Sequence, residues 1–253
     1  MTSHPFRKKW GQNFLADTNL LNKIIRIIDP RPEDRILEIG PGEGVLTEKL
    51  LPLVKRLAVI EIDPLLIRHL RRQENLATVH IIHGDVLFLE LDSLPFSLPV
   101  RVMGNIPYNI TSPILFWLTE QHGRWKDAFL MVQKEVAERL VAPVGTKTYG
   151  RLTVMVRSFM EVEQLLTIPP DVFIPRPKVN SAIIRLVPRS APAVSWERYE
   201  RFEKLVAAAF NQRRKMLRNS LKGFQLSPAA DSLGLDRRPE TLTVEEFVTL
   251  LPD

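Results

Sequence analysis

The residues most suited to chemistry in this sequence form a short polar turn after a predicted β-strand. The apolar run Val100 to Met103 is followed by Asn105, Pro107 and Tyr108. The Asn105 side-chain oxygen and the Pro107 backbone carbonyl can accept both hydrogens of an exocyclic amine and leave its nitrogen pyramidal, with an available lone pair. Tyr108 offers a flat face on which an extruded base can stack. The turn therefore predicts chemistry at the amino nitrogen of an adenine, a poor nucleophile when unaided.

The same turn also has a purely structural explanation. Asn, Gly and Pro are common turn formers, so Gly104 to Tyr108 would suit an ordinary connection between a strand and a helix. A functional site is favoured over a simple connection for two reasons. The carboxyl ends of strands face the ligand crevice of open α/β sheets, and the earlier predicted strands also end in motifs suited to binding a ligand. In-line displacement needs positioning more than acid or base catalysis. This agrees with a sequence that has no cysteine and only scattered histidines.

A glycine-rich turn follows the first predicted strand, Arg35 to Ile39. It contains Gly40, Gly42 and Gly44 and leads into a helix. Glycines at this point let the backbone pass close to a ligand, and the N-terminus of the helix lies beneath it. Glycine-rich turns after strands are common, so this motif alone is weak evidence.

Acidic residues end the next two predicted strands. Glu61 stands 21 residues after Gly40, where a carboxylate can accept hydrogen bonds from both hydroxyls of a ribose. Asp85 ends the third strand and is placed to accept a hydrogen bond from an adenine amino group. Together with the glycine turn, these acids predict a nucleoside cofactor.

A nicotinamide dinucleotide is the first competing cofactor. Its fold uses the spacing G-x-G-x-x-G to seat a pyrophosphate, whereas the turn here has the spacing G-x-G-x-G. Glu43 lies inside the turn, and its charge would repel a pyrophosphate but tolerate a cationic sulfonium. The pattern therefore favours a sulfonium cofactor that has no phosphate.

The elements that must position these residues alternate between strands and helices, which is typical of a parallel sheet with crossover helices. The predicted strands are Arg35 to Ile39, Arg56 to Ile60, Val79 to Ile82, Val100 to Met103 and Ala128 to Val132. Helix starts are predicted at about Asp17, at Asp63-Pro64 and at Ser112-Pro113.

The alternation stops after the fifth strand. Leu152 to Phe159, Glu163 to Ile168 and Ala182 to Val187 resemble strands with no long helix between them. We therefore expect the sheet to finish antiparallel.

A change of texture near residue 190 indicates a domain boundary. Pro188 to Pro192 is typical of a linker, and the pattern beyond it is purely helical. Thr243 and Glu246 form a predicted capping box before the last helix. We divide the chain into residues 1–189 and a helical domain, residues 190–253.

Composition limits the class of protein. The 253 residues carry a net charge of +6, with 45% apolar and 25% charged residues, which is ordinary for a globular protein. The absence of cysteine excludes disulfides and thiolate-metal sites, and no histidine pair has metal-ligand spacing, so no metal is predicted. No apolar stretch is long enough to span a bilayer and no secretory signal is present, so we expect a cytoplasmic protein without a membrane contact.

Positive charge is concentrated in three blocks that contain no acidic residue. The longest lies between Glu203 and Asp231 and holds, in order, Lys204, Arg213, Arg214, Lys215, Arg218 and Lys222. Such runs are usually solvated surface. Three of them in one chain favour a face that binds nucleic acid.

With these motifs in order along almost the whole length, the sequence resembles the ribosomal RNA adenine dimethyltransferases. The motifs that carry the resemblance are Gly11 to Leu15, Glu38 to Gly44, Glu61, Asp85, Asn105 to Tyr108, Phe173 to Val179 and Phe210 to Leu221. The resemblance implies a Rossmann-like class I methyltransferase fold. That fold is α/β, with a mainly parallel seven-stranded sheet, helices on both faces and a small all-helical C-terminal domain.

The resemblance also implies roles for individual residues. S-adenosylmethionine would be bound by Asn13, Leu15, Gly40, Gly42, Glu61, Ile62, Asp85, Val86 and Asn105. The catalytic residues would be Asn105, Pro107 and Tyr108, with Phe173 packing against the target base. RNA would be bound by Lys178, Arg213, Arg214, Lys215 and Arg218.

The implied reaction places two methyl groups on the N6 amine of each of two adjacent adenosines near the 3′ end of small-subunit (16S) ribosomal RNA. The implied partner is the immature 30S subunit, and the protein is expected to act as a monomer in small-subunit biogenesis.

Two departures from the family pattern leave an alternative target open. Asn180 stands where the family usually has Asp, and Asn at this place also occurs in large-subunit (23S) RNA methyltransferases that confer macrolide resistance. Arg157 stands where the family often has Gln. Phe210 to Leu221 favours the small-subunit enzymes, because the resistance enzymes generally lack this motif. A non-catalytic ribosome-assembly factor is a third hypothesis, against which the intact Asn105 to Tyr108 turn argues.

Overall fold

The structure, a computed structural model, describes residues 14, 15 and 17–252. These residues form two compact units. The first comprises the described residues up to 137 together with 163–187, and the second comprises 138–162 together with 188–252. The units differ from the division at residue 190 because residues 138–162 cluster with the C-terminal region.

The elements are numbered here in chain order. The strands are β1 (Phe14–Leu15), β2 (Arg35–Ile39), β3 (Arg56–Glu61), β4 (His80–His83), β5 (Val100–Asn105), β6 (Trp125–Gln133), β7 (Met160–Ile168), β8 (Phe173–Ile174) and β9 (Ser181–Pro188). The helices are α1 (Thr18–Ile28), α2 (Val45–Leu50), α3 (Pro64–Arg72), α4 (Thr111–Glu120), α5 (Lys134–Leu140), α6 (Arg151–Arg157), α7 (Tyr199–Asn211), α8 (Leu217–Ser220), α9 (Ala230–Leu233) and α10 (Val244–Thr249).

Seven strands form one sheet, in the order β4-β3-β2-β5-β6-β9-β7. The first five are parallel to their neighbours, and β9 runs antiparallel to β6. The predicted fold class is therefore confirmed, including the antiparallel finish. Strand order reverses between β2 and β5, and open α/β sheets bind ligands outside the carboxyl ends of the strands at such a point.

Local signals start the helices that flank the site. Asp17 caps α1 by accepting from the Leu20 N–H at 2.8 Å, and Asp63 caps α3 by accepting from the Leu65 N–H at 2.8 Å. Helix α3 begins at Pro64, where a missing N–H costs nothing. The cap predicted at Ser112, with Pro113 as the first helical residue, is wrong, because α4 begins at Thr111 and its N-cap residue is Ile110.

The core lies on the sheet and on the helices packed against it. Leu37, Ala58 and Val102 are fully buried on three adjacent strands. A cluster that includes Ile24 and Ile28 from α1 packs against the sheet residues Met103 and Phe129. Burial on both faces explains why these strands are continuous apolar runs in the sequence.

One predicted strand is wrong. Leu152 to Phe159 was expected to be extended, but residues 151–157 form helix α6. Its start is fixed by Thr153, whose hydroxyl accepts from the Gly150 N–H at 3.1 Å and donates to the Arg139 carbonyl at 2.7 Å. Short apolar runs buried on all sides do not reveal their period, so strand and helix cannot be separated from the pattern alone.

The C-terminal part of the second unit is helical, as expected. Helix α7 buries Phe202, Leu205 and Val206. The predicted capping box is present at α10, where Thr243 accepts from the Glu246 N–H at 3.1 Å and the Glu246 carboxylate accepts from the Thr243 N–H at 2.7 Å. In the part of the chain that the structure describes, no helix is long and apolar enough to cross a membrane.

Candidate active site

A cavity of about 290 Å³ opens at the carboxyl ends of the parallel strands in the first unit. Its size is at the lower end of the range typical of small-molecule sites. The strand ends that line it include Ile39, Gly40, Glu61, Gly84, Asp85, Gly104 and Asn105. The four strand-end motifs that the sequence singled out therefore meet in one place, at the switch point between β2 and β5.

The glycine turn at the end of β2 needs its glycines for two different reasons. Gly40, Gly42 and Gly44 have positive φ angles of 64°, 60° and 89°, which side chains rarely adopt. A Cβ on Gly44 would also lie 3.0 Å from Leu70 Cδ2, so the Leu70 side chain would have to shift to admit one. A Cβ on Gly40 would meet no atom nearer than the Asn105 carbonyl, 4.0 Å away. That side of Gly40 therefore faces open space in the cavity, which a ligand can occupy.

Glu61 is held in the cavity wall by backbone donors. Its Oε1 accepts from the N–H groups of Ile62 and Asp63, each at 2.9 Å, while its Oε2 has only a 3.4 Å contact from the Gly42 N–H. Burial raises the pKa of Glu61, and the three backbone donors oppose that rise. A carboxylate oxygen has two lone pairs, so Oε2 retains capacity to accept from ribose hydroxyls.

Glu38 is a second buried carboxyl group in the cavity wall, and the sequence analysis assigned it no role of its own. It is 2% exposed and accepts from the Thr47 hydroxyl at 2.6 Å. Burial raises the pKa of Glu38 to about 7; the Thr47 hydrogen bond lowers it and the charge of Glu61 raises it further. The sequence could have indicated a role for Glu38, because this acid precedes Gly40, the first glycine of the turn, by two residues.

The remaining predicted cofactor residues also reach the cavity, with one exception. Leu15, Ile62, Asp85 and Val86 line it. Asp85 uses Oδ1 to accept from the Leu87 N–H at 3.0 Å. Asn13 lies outside the described residues.

The catalytic turn is shaped by the close approach of two strands. A Cβ on Gly104 would lie 2.8 Å from the Ile39 backbone oxygen, so only glycine fits there. Asn105 and Pro107 both line the cavity. The Pro107 carbonyl accepts from the Ile110 N–H at 3.1 Å, which leaves it one further lone pair.

Tyr108 lies beside the cavity rather than in its wall. Its hydroxyl forms a 2.7 Å hydrogen bond with Ser181 Oγ, on the first residue of β9. Burial raises the pKa of Tyr108, and the Ser181 hydrogen bond opposes the rise. Ser181 had no distinguishing signal in the sequence, because a serine at a strand start is common.

The structure does not bring Phe173 and Lys178 to the cavity. Phe173 is 2% exposed in the apolar core, and β8, which contains it, pairs antiparallel with β1. Lys178 is exposed on the segment between β8 and β9. Their roles toward a base and toward RNA remain predictions.

The predicted RNA-binding cations in the second unit differ in their surroundings. Arg213 donates to the carbonyls of Thr146 at 3.2 Å and Tyr149 at 3.0 Å. Arg218 pairs with Asp236 at 2.6 Å on the surface. Arg214 and Lys215 are exposed. Arg214 and Lys215 are thus the most available for phosphate, whereas Arg213 is held by its own unit.

The charge of the cavity wall tests which cofactor the residues fit. Glu38, Glu43, Glu61 and Asp85 line it, and among the described lining residues none is Lys, Arg or His. A wall with four acids and no base would repel a pyrophosphate and attract a cation. These acidic side chains, which accept hydrogen bonds and attract positive charge, therefore fit a nucleoside with a cationic sulfonium. Across residues 14, 15 and 17–252, no group of three His, Asp or Glu side chains could hold a metal ion.

Comparisons with known proteins show the family to which this chain is similar. The family model described as ribosomal RNA adenine dimethylase matches residues 3–249. The chain is 42% identical to a ribosomal RNA small subunit methyltransferase A of Chromobacterium violaceum, over 99% of this chain and 96% of that protein. It is 45% identical to the protein of the same name from Xylella fastidiosa, over 97% of this chain and 95% of that protein.

Two solved structures share the fold over nearly the full length. A dimethyladenosine transferase from Plasmodium falciparum is 29% identical, with a TM-score of 0.79, covering 94% of this chain and 95% of that one. The 23S rRNA methyltransferase ErmE is 32% identical, with a TM-score of 0.70, covering 94% of this chain and 98% of that one. The chain belongs to the ribosomal RNA adenine dimethylase family of S-adenosylmethionine-dependent methyltransferases.

Proposed function

We propose that this protein transfers methyl groups from S-adenosylmethionine to the N6 amine of two adjacent adenosines near the 3′ end of small-subunit ribosomal RNA. We propose further that it acts as a monomer in the cytoplasm, on immature small subunits. The curated relatives described above carry the small-subunit name at 42% and 45% identity. They favour this target over the large-subunit alternative.

One observation carries the chemical part of the proposal. Two hydrogen-bond acceptors, the Asn105 side chain and the Pro107 carbonyl, meet at the cavity beside a wall with acidic residues. In the first transfer the nitrogen lone pair must lie opposite the methyl carbon while acceptors bind both N–H groups; in the second transfer one N–H remains to be bound. Each transfer breaks a sulfur–methyl bond, forms a nitrogen–methyl bond and releases one proton from the nitrogen. Positioning of this kind can supply about 7–11 kcal/mol of the barrier to a displacement.

The steps assigned to this chain's own residues are binding, orientation and hydrogen bonding. S-adenosylmethionine, when bound, supplies a methyl group on a cationic sulfur. Glu61 Oε2 would accept from the ribose hydroxyls, Asp85 from the adenine amine of the cofactor, and Glu38 and Glu43 would contribute negative charge. Asn105 Oδ1 and the second lone pair of the Pro107 carbonyl would accept the two hydrogens of the target amine.

The RNA-binding part of the proposal concerns the second unit. Arg214 and Lys215 are exposed, and no hydrogen bond or ion pair of their side chains occurs among the described residues. Replacing both by Ala should lower the slope of log affinity against log salt by about 1.5, since each phosphate contact contributes roughly 0.7 to 0.9. Arg213→Ala should instead lower stability. An unchanged salt slope in the double variant would contradict the assignment.

The experiment that tests the activity uses labelled S-adenosylmethionine with immature small subunits and, in parallel, large subunits. Dimethyladenosine in the small-subunit RNA is expected, and mass analysis of the nucleosides counts the methyl groups. Asn105→Ala should lower turnover by about 100-fold or more, the scale seen when one preorganised polar group is lost. Asn75→Ala, on the surface beside Glu48, is the matched control. Label only in the large subunit would reassign the substrate, and no label in either would refute the activity.

A further inference from the structure

The hydrogen bond between Tyr108 and Ser181 joins two parts of the first unit that are distant in sequence. Tyr108 follows β5, and Ser181 begins β9. The two hydroxyl oxygens lie 2.7 Å apart. Ser181 is fully buried at 0% exposure, whereas Tyr108 is only part-buried. A buried hydroxyl needs a partner, and the phenol of Tyr108 provides it.

Strand register places Ser181 next to the cavity. Asn105 lies opposite Met131 on β6, and Met131 lies opposite Ile183 on β9. All three line the cavity. Ser181 precedes Ile183 by two residues, so both project from the same face of the sheet. The Ser181 hydroxyl is therefore two residues along β9 from the row that contains Asn105, on the side where the turn Gly104 to Tyr108 lies.

Ser181 directly follows the segment between β8 and β9, residues 175–180. The Asn180 carbonyl accepts from the Lys134 N–H at 2.9 Å, and Ser181 pairs with Gln133. These contacts fix the start of β9 to the end of β6. The Ser181 hydroxyl is therefore held at a fixed position at the end of the sheet, where it can fix the Tyr108 phenol in turn.

We propose that Ser181 is a positioning residue, which sets the orientation of the Tyr108 ring for the target base. The inference rests on the proposed adenine methylation. Without the hydrogen bond, the phenol can rotate and the stacking face is lost for part of the time. Ser181 itself touches neither base nor cofactor in this scheme.

A double-mutant cycle tests the proposal in the full chain. Ser181→Ala and Tyr108→Phe each remove one hydroxyl and keep the ring, and each should lower kcat about threefold to tenfold, the scale of one neutral hydrogen bond. Cofactor affinity should not change. The double variant should be no slower than the slower single variant, because both remove the same interaction. Ser158→Ala removes a hydroxyl equally buried at 0% exposure, bonded to the Val154 carbonyl at 2.7 Å, and should leave kcat unchanged.

A second readout does not depend on turnover. The sequence has three tyrosines, so ring-labelled tyrosine gives few NMR signals, and Tyr108→Phe identifies the one from Tyr108. In Ser181→Ala this signal should shift and report faster ring rotation. A Tyr108 signal that does not change, or losses in kcat that multiply in the double variant, would overturn the proposal. If the wild type shows no turnover while the ring signal responds as expected, the proposed function fails and the positioning of the ring stands.

Discussion

Both ends of the central sheet bury acidic side chains, but among the described residues only the amino end places a cation beside them. At the amino end, Asp34 and Asp127 surround Arg101, and all three are less than 9% exposed. At the carboxyl end, Glu38 and Glu61 lie in the cavity wall, where the described lining residues include no cation. The first end is a closed ion cluster and the second is a site with unbalanced charge.

Arg101 at the amino end uses all five of its N–H donors, one of them in a 3.3 Å hydrogen bond to the Asp29 carbonyl. It donates to Asp127 Oδ1 at 2.8 Å and Oδ2 at 3.1 Å, and to Asp34 Oδ2 at 2.7 Å. It also donates to the Ile28 carbonyl at the end of α1, at 2.8 Å. Burial alone would raise the pKa of Asp34, but hydrogen bonds from the Arg31 N–H and from Arg101 bring it below its ordinary value.

A structural acid and a binding acid differ in where their positive charge comes from. Both ends desolvate carboxylates, which is costly unless a positive charge is near. Where the fold supplies the cation, the acids hold elements together. Where the fold supplies only backbone donors and one hydroxyl, the missing positive charge is expected from the ligand, and S-adenosylmethionine carries one.

The largest effect is expected from breaking the closed cluster. Arg101→Met leaves two buried aspartates without their cation and should lower the free energy of unfolding by about 3–5 kcal/mol. Chemical denaturation measures this. Arg124→Met is the control, because its partner Asp92 is 60% exposed and exposed pairs contribute little, roughly 0–1 kcal/mol. Similar losses in both variants would contradict the distinction between the cluster and a surface pair.

The next effect concerns the open end. Glu61→Gln keeps the shape of the side chain but removes its charge, so hydrogen bonds from ribose hydroxyls lose their charge assistance. S-adenosylmethionine affinity, measured by calorimetry, should fall about tenfold to 100-fold, from roughly 1.5–3 kcal/mol per charged hydrogen bond. The exposed Glu74→Gln should bind as the wild type does. If Glu61→Gln bound the cofactor normally, Glu61 would be structural, as Asp34 is.

Much of the open end follows from the sequence, and the closed end does not. Strand-end positions put Gly40, Glu61, Asp85 and Asn105 in one crevice because parallel strands share a carboxyl edge. Arg101 lies in an otherwise apolar strand and gives no indication of which acids it meets, because its partners are 67 and 26 residues away.

The errors also have physical causes. Helix α6 was mistaken for a strand because its short apolar run, which includes Val154, Met155 and Val156, is buried on every side. Ser181 was missed because its function depends on a partner 73 residues away. The local sequence pattern predicts the helices, the strands and the residues at the strand ends. Contacts between hydroxyls or charges that are distant in sequence can be found only in the three-dimensional structure.

A further predicted effect is a difference in pH dependence between the two ends. The pKa of Glu38 in the folded protein is about 7, above its ordinary value of 4.5, chiefly because of burial. The folded state therefore binds more protons than the unfolded state between these values, and stability should fall as pH rises through that window. The pKa of Asp34 is instead lowered by folding, from its ordinary value of 3.8. The stability that ionised Asp34 contributes should therefore be lost only as the pH falls below about 3.8.

A bound cation sharpens this contrast, because it favours the ionised form of Glu38. S-adenosylmethionine should therefore bind about threefold to tenfold more tightly at pH 8 than at pH 6, and binding near pH 7 should release protons. Calorimetry in buffers with different ionisation enthalpies measures both. Glu38→Gln should remove the pH dependence and the proton release together, since the amide does not titrate. Proton release that persists in this variant would assign the titration to another group, and the charge at the open end would then rest on Glu61 and Asp85.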